Sequence, residues 1–143
     1  MNNLEVAREG LKRGEQWYQN AIQAYKDERW NDVVFSYEMA VEHALKAILI
    51  LYGIEYPKIH NISKVYLNIN RNNIPKWFVN NMDLHAKTLK ELVKLRGSAA
   101  YGYVEGLTKD DFKEDAITFK DSVIKVIDDC INLIKAFSKK AMK

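Results

Sequence analysis

Apolar residues recur along most of this chain at helical spacing. Leu4, Ala7, Leu11, Trp17, Ala21, Ala24 and Tyr25 fall three, four or two such steps apart, which marks one face of a helix from about Asn3 to Glu28. Gly10 and Gly14 loosen its beginning, and Asp27-Glu28-Arg29 is a charged break. A second helix is expected from Trp30 to about Tyr52, with Val34, Tyr37, Val41, Leu45, Ile48 and Tyr52 on one stripe. Val33, Ala40, Ala44, Ala47 and Leu51 add a second stripe, and a helix apolar on two sides belongs at the centre of a bundle. Gly53 suits its C-terminal cap, and Pro57 prevents easy continuation.

A short helix is expected after His60-Asn61, with Ile62, Val65, Tyr66 and Ile69 inward, followed by a polar loop over Asn68 to Asn73. Pro75 suits the first turn of a helix reaching about Leu95, whose inner face is Trp77, Phe78, Met82, His85, Leu89, Leu92 and Leu95. Gly97, Gly102 and Gly106 cluster after it and read as the longest irregular segment. Thr108 or Asp110 can cap a last helix from about Asp111, carrying Phe112, Ala116, Phe119, Val123, Ile127, Cys130, Ile134 and Phe137 inward. No strand-like alternation competes. The pattern predicts an all-α, antiparallel up-and-down bundle of four long helices plus one short helix. Residues 1–143 read as one domain, a length that can bury a core without disulfides.

Composition changes this picture little. The net charge of +3 is a weak surplus that permits a nucleic-acid contact without arguing for one. The one cysteine, Cys130, excludes an internal disulfide and a cysteine-built zinc site, and its apolar setting reads as a buried thiol. The N-terminus has no apolar core of a signal peptide, and the longest apolar run, Ala47 to Tyr52, is far short of the ~20 residues that cross a bilayer. A soluble, cytoplasmic protein is expected. There is no Gly-rich phosphate loop, no His-Glu-x-x-His and no Cys-His pair at ligand spacing, so neither cofactor nor metal is expected. Asp110-Asp111 and Asp128-Asp129 are adjacent pairs that diverge on a helix.

The second helix carries Phe35-Ser36-Tyr37-Glu38-Met39-Ala40-Val41-Glu42-His43-Ala44-Leu45-Lys46-Ala47, then Gly53 and His60-Asn61-Ile62. Together with Trp17, Ala21 and Trp30, this resembles the HEPN domain family, over about Gly14 to Phe137. The resemblance implies a helical homodimer. In many members an Arg followed four to six residues later by a His forms a metal-independent ribonuclease site across the dimer. In a subset of paired toxins the motif extends to R-x-x-x-x-H-x-Y, and a partner nucleotidyltransferase modifies the final Tyr with adenylyl groups. The matching stretch here is Arg96-Gly97-Ser98-Ala99-Ala100-Tyr101-Gly102-Tyr103, with Arg96 and Tyr103 in place and Tyr101 at the histidine position.

That departure bears on catalysis more than on binding. Cleaving RNA through its 2′-hydroxyl needs a group that exchanges protons near neutral pH, as histidine does. A phenol titrates near ~10 and is a poor base there. Arg96 can still hold a phosphate bidentately and Tyr101 can hydrogen-bond it. His85 lies three helical turns before Arg96, roughly 16 Å along the axis, too far for the same phosphate.

Each of these residues also has a structural reading. Arg96 near a helix C-terminus would oppose the dipole there. Tyr101 and Tyr103 could be packing lids around Gly102, and Glu42 with Lys46 a surface ion pair four residues apart. His43 reads as a core-edge or interface residue, and His60 beside Asn61 as a loop anchor or cap. The Lys139-Lys140-Ala141-Met142-Lys143 tail reads as a solvated end.

The leading expectation is a nucleotide- or RNA-binding homodimer acting with a nucleotidyltransferase. Its candidate residues are Arg96, Tyr101, Tyr103, Glu42, Lys46 and His60. The alternatives are an active metal-independent ribonuclease toxin of a toxin–antitoxin pair, with Arg96, Tyr101 and Tyr103 as a modified catalytic set, and a helical interaction module.

Overall fold

The computed structural model describes residues 1–141; Met142 and Lys143, the end of the Lys-rich tail, lie outside them. The fold is an all-α bundle of four long helices, α1 (Asn3–Lys26), α2 (Trp30–Leu51), α5 (Met82–Tyr101) and α6 (Lys113–Ala141). Two short helices, α3 (Ser63–Leu67) and α4 (Lys76–Val79), lie between α2 and α5. The four-helix expectation is borne out, with close boundaries for α1, α2 and α6, while α5 is displaced from the expected span and a second short helix, α4, is added.

The long helices alternate in direction. Gly10 of α1 sits over Ala47 of α2 while Gly14 sits over Ala40 and Ala44, so the two run antiparallel. Asn31 of α2 donates to the Ala99 carbonyl of α5, and Met39 meets Arg96, which repeats the reversal. Arg8 of α1 bonds Ser138 of α6, while Tyr25 takes Lys120 over its ring, so the last helix runs against the first.

The expected central helix is α2. Val33, Val34, Ala40, Val41, Ala44, Leu45, Ala47, Ile48 and Leu49 are fully buried, because α1, α5 and α6 all pack on it. The approach of α1 is set by small residues. A Cβ added at Gly14 would stand 3.0 Å from the Ala40 carbonyl oxygen and 3.3 Å from the Ala44 nitrogen, so only hydrogen fits the crossing without a shift.

Four expectations need correction. The helix expected from Pro75 breaks at Asn80-Asn81, where the Asn81 side chain donates to the Trp77 carbonyl at 3.0 Å and competes with the helical ladder. Trp77, expected inward, is 42% exposed because it lies on α4, before that break. Residues Arg71–Asn73 of the expected polar loop form a 3-10 turn, anchored by Asn70 Oδ1 accepting from the Asn72 amide at 3.1 Å. The glycine-rich segment is mostly ordered helix, since α5 runs through Gly97 to Tyr101 and a 3-10 turn spans Gly102–Glu105. Gly97 sits on the exposed face with nothing within 4 Å, so it costs propensity without forcing a break.

A buried polar chain ties α3 to the bundle. Tyr66 donates to His85 Nδ1 at 2.7 Å, and His85 Nε2 donates to Asp129 at 2.8 Å. Lys125 holds the other Asp129 oxygen at 3.0 Å. Tyr66 and His85 are fully enclosed, and burial drives the His85 imidazole below its ordinary pKa although Asp129 opposes this.

The two glycines should therefore respond oppositely in denaturant unfolding. Gly14→Val is expected to cost about 1–3 kcal/mol by overpacking. Gly97→Ala is expected to stabilise by about 0.5–1 kcal/mol through helix propensity. Destabilisation by Gly97→Ala would contradict the continuous helix.

Candidate functional site

Arg96 is not at a helix end. It lies inside α5, five residues before Tyr101, so the dipole reading lapses and the side chain is free to reach across to α2. There its Nε stands 3.2 Å from Glu38 Oε2, its guanidinium lies 5.2 Å from the centre of the Phe35 ring, and Nη2 meets Met39 Sδ at 3.7 Å. Three residues of one α2 face thus cradle one cation by charge, ring face and sulfur. About a quarter of the Arg96 side chain remains exposed (23%).

Glu38 is fully buried, and Glu42 one turn later is nearly so. Lys46 Nζ reaches Glu42 Oε2 at 2.8 Å while lying 5.4 Å from the Tyr56 ring centre, and His60 Nδ1 meets Glu42 Oε1 at 2.9 Å. The expected surface pair of Glu42 and Lys46 is therefore partly buried, with the carboxylate in the core and the lysine snorkelling outward. A continuous run of charge results, from Arg96 through Glu38 and Glu42 to Lys46 and His60.

Two carboxyls this close and this dry do not both ionise readily. Burial, then the hydrogen bond and charge of Glu42, push the Glu38 pKa up to about 8 despite the opposing pull of Arg96. For Glu42 burial also acts upward, but the bonds from Glu38 and Lys46, the lysine's charge and His60 carry it below the ordinary value. These opposite shifts favour the carboxylate form of Glu42 and the protonated form of Glu38 at neutral pH. A proton there also answers a geometric puzzle. Neither Glu38 oxygen meets a donor in line, and Arg96 Nε, though close, is not aligned for a hydrogen bond. A protonated Glu38 becomes a donor toward Glu42, and its attraction to Arg96 is then mainly dipolar. That leaves the cation's charge largely unspent.

One oxygen each of Glu38 and Glu42 and one nitrogen of His60 lie within 4.8 Å of one another, which distance alone would allow a cation to bridge. Arg96 and Lys46 already stand against those carboxyls, and His60 and Glu42 are bonded to each other. Glu42 is satisfied by Lys46 and His60, and the raised pKa of Glu38 favours its neutral form, so the carboxyls are accounted for without an ion.

The other candidates lie apart. Tyr101 ends α5 and Tyr103 sits in the following turn, 69% and 71% exposed, so neither is a packing lid. His43 faces α1 beside Gly14, and burial lowers its pKa. Cys130 is buried with its thiol pushed up by that burial, as expected of a structural cysteine. Glu38 was missed in the sequence, although a carboxylate among Val34, Val41 and Leu45 on an inward stripe was a legible signal.

A family model, the HEPN domain, matches residues 7–135. The chain belongs to the HEPN family. No match was found among curated proteins or among solved structures. Arg96, expected at the family's Arg position, is the cradled residue, and Tyr101, expected at its histidine position, is exposed. Among the described residues no helix is long and apolar enough to cross a membrane.

The raised Glu38 pKa makes a signed prediction. A carboxyl whose pKa is higher folded than unfolded stabilises the fold fully below the ordinary value of 4.5, and loses that stabilisation as pH rises toward about 8. Thermal unfolding across this window should show the natural protein losing stability relative to Glu38→Gln as pH increases. A constant difference would mean that Glu38 is ionised throughout.

Proposed function

We propose that this HEPN chain is a cytoplasmic, single-domain homodimer that binds a nucleotide or RNA through its phosphate and acts beside a nucleotidyltransferase partner. The observation that carries this reading is the cradled Arg96. Glu38 stands at its Nε, the Phe35 ring faces its guanidinium and Met39 sulfur meets its Nη2, so its orientation is set before any ligand arrives. The terminal nitrogens spend little on protein partners, since Nη2 makes only the weak contact with sulfur. A pre-oriented guanidinium with spare donors suits bidentate capture of a phosphate. Lys46 and His60 extend the polar line on the same side of α2 and supply further donors.

The motif itself supplies no proton-transfer group. Tyr101 is an exposed phenol at the helix end, able to donate a hydrogen bond to a phosphate. Tyr103 is open to solvent, which supports access by a modifying partner of the toxin–antitoxin kind. Binding is thus the role these residues favour.

Fluorescence anisotropy with labelled RNA and with a labelled nucleotide tests this, beside sedimentation for the dimer. Arg96→Ala should weaken binding roughly 10- to 100-fold, the worth of one charge-assisted contact, with unchanged helicity. Co-expression should recover a nucleotidyltransferase with the natural protein. A monomer that binds neither RNA nor nucleotide would contradict the reading.

A further inference from the structure

We propose that the cavity around Tyr37, between α1, α2 and α6, is a binding site for a small monocarboxylate with an apolar body, separate from the Arg96 cradle.

One face of α1 builds most of this cavity. Tyr18, Ile22, Tyr25 and Lys26 fall on it at helical spacing, and Tyr37 of α2 and Lys120 of α6 complete the lining. None of these residues comes from α5, which carries Arg96. Tyr37 and Glu38 are neighbours on α2, but successive helical residues point about 100° apart. One therefore turns to this cavity and the other to Arg96.

The floor of the cavity holds an unanswered donor. Tyr37 is 3% exposed, and its hydroxyl has no hydrogen-bond partner among the described residues. The side-chain atoms that are both sealed and unpartnered there belong to Glu38 and Arg96, so the Tyr37 oxygen opens into the cavity. Leaving a phenol this deep without a partner is costly, and such groups are normally satisfied. Burial, then the phenols of Tyr18 and Tyr25 and the charge of Asp121, raise the Tyr37 pKa. Burial and Asp128 do the same for Tyr18. Both groups are thus donors at neutral pH, and what they lack is an acceptor.

Charge at the rim says which acceptor. Lys26 and Lys120 are exposed, and neither forms an ion pair among the described residues. Lys120 Nζ lies instead 4.9 Å from the centre of the Tyr25 ring. Asp121 and Asp128 are exposed and do not line the cavity. Two ammonium groups without carboxylate partners, beside a free phenol donor, favour an anion.

Size and lining narrow the anion further. The cavity measures about 180 Å³. An apolar cavity of about 150 Å³ holds benzene, and drug-sized ligands need roughly 300 Å³ or more. One ring, or a branched chain of that size, fits together with one small charged group. Tyrosine rings and Ile22 form the walls, where a phosphate dianion would give up more hydration than a single carboxylate does. The carboxylate takes the phenol's hydrogen bond and the ammonium charge, while the apolar body lies against the rings.

Benzoate is the probe, titrated into the full-length nitrogen-15-labelled protein while amide shifts are followed by NMR. Saturable shifts should centre on α1, α2 and α6 around Tyr37, with a Kd of about a millimolar or tighter. Tyr37→Phe should weaken binding roughly 10-fold. Lys120→Gln, a surface change that leaves the core intact, should weaken it about 2- to 5-fold and serves where Tyr37→Phe folds poorly. Arg96→Ala should leave benzoate affinity unchanged, so this site stands or falls apart from the nucleotide or RNA reading. Tighter binding of phenyltrimethylammonium than of benzoate would overturn the proposal in favour of an aromatic cage for cations. Equal binding of benzyl alcohol, affinity indifferent to both Tyr37→Phe and Lys120→Gln, or no saturable shift at all would each overturn it as well.

Discussion

Everything in this bundle is arranged around a central helix that carries two carboxyl groups into its own core. α2 is enclosed by α1, α5 and α6, and at Glu38 and Glu42 an apolar surface is interrupted by groups that water would otherwise solvate. Moving an ion out of water costs on the order of several kcal/mol, so the neighbours must compensate. They do so in two ways. Glu42 is paired with Lys46 and His60, and burial raises the pKa of Glu38 to about 8, which favours its neutral form. Arg96 is drawn across from α5 toward the same position, which makes a compensation for burial into a cation of defined direction.

The rest of the fold serves that geometry. The glycine at position 14 lets α1 close on α2 at backbone distance and shields one side of it. On another side, the Tyr66–His85–Asp129 chain fastens α3 to α5 and α6. Ile62, almost fully buried, and Asn61, whose side chain bonds Ser63, carry that anchorage back to the loop preceding α3. His60 therefore approaches Glu42 from a loop restrained close on its C-terminal side.

Helices of this length and periodicity are legible because each repeats the same burial decision every three or four residues. The core of α2 and α6, the buried Cys130 and the central place of α2 were all readable in that way. The helix breaks were not. Asn80-Asn81 ends α4 through one side-chain bond, and Gly97 fails to end α5 because nothing crowds it. Mistaking Gly97 for a break put Arg96 at a helix terminus and hid its reach to α2. Glu38 was visible as a charge on an apolar stripe, but its partner lies 58 residues away in sequence, beyond any periodic signal. The pairing of His60 with Glu42 depends on a loop path that spacing does not encode.

The central claim is that Glu38 holds a proton at neutral pH, so that the charge of Arg96 is available to a ligand. A carbon-13 NMR titration of the glutamate carboxyls, with Glu38 assigned by its absence in Glu38→Gln, reads this directly. The account predicts a Glu38 midpoint near 8, far above ordinary carboxyls, with the Glu42 signal already that of a carboxylate at neutral pH. A Glu38 midpoint in the ordinary acidic range would mean an ionised Glu38 that neutralises Arg96, and it would contradict the account.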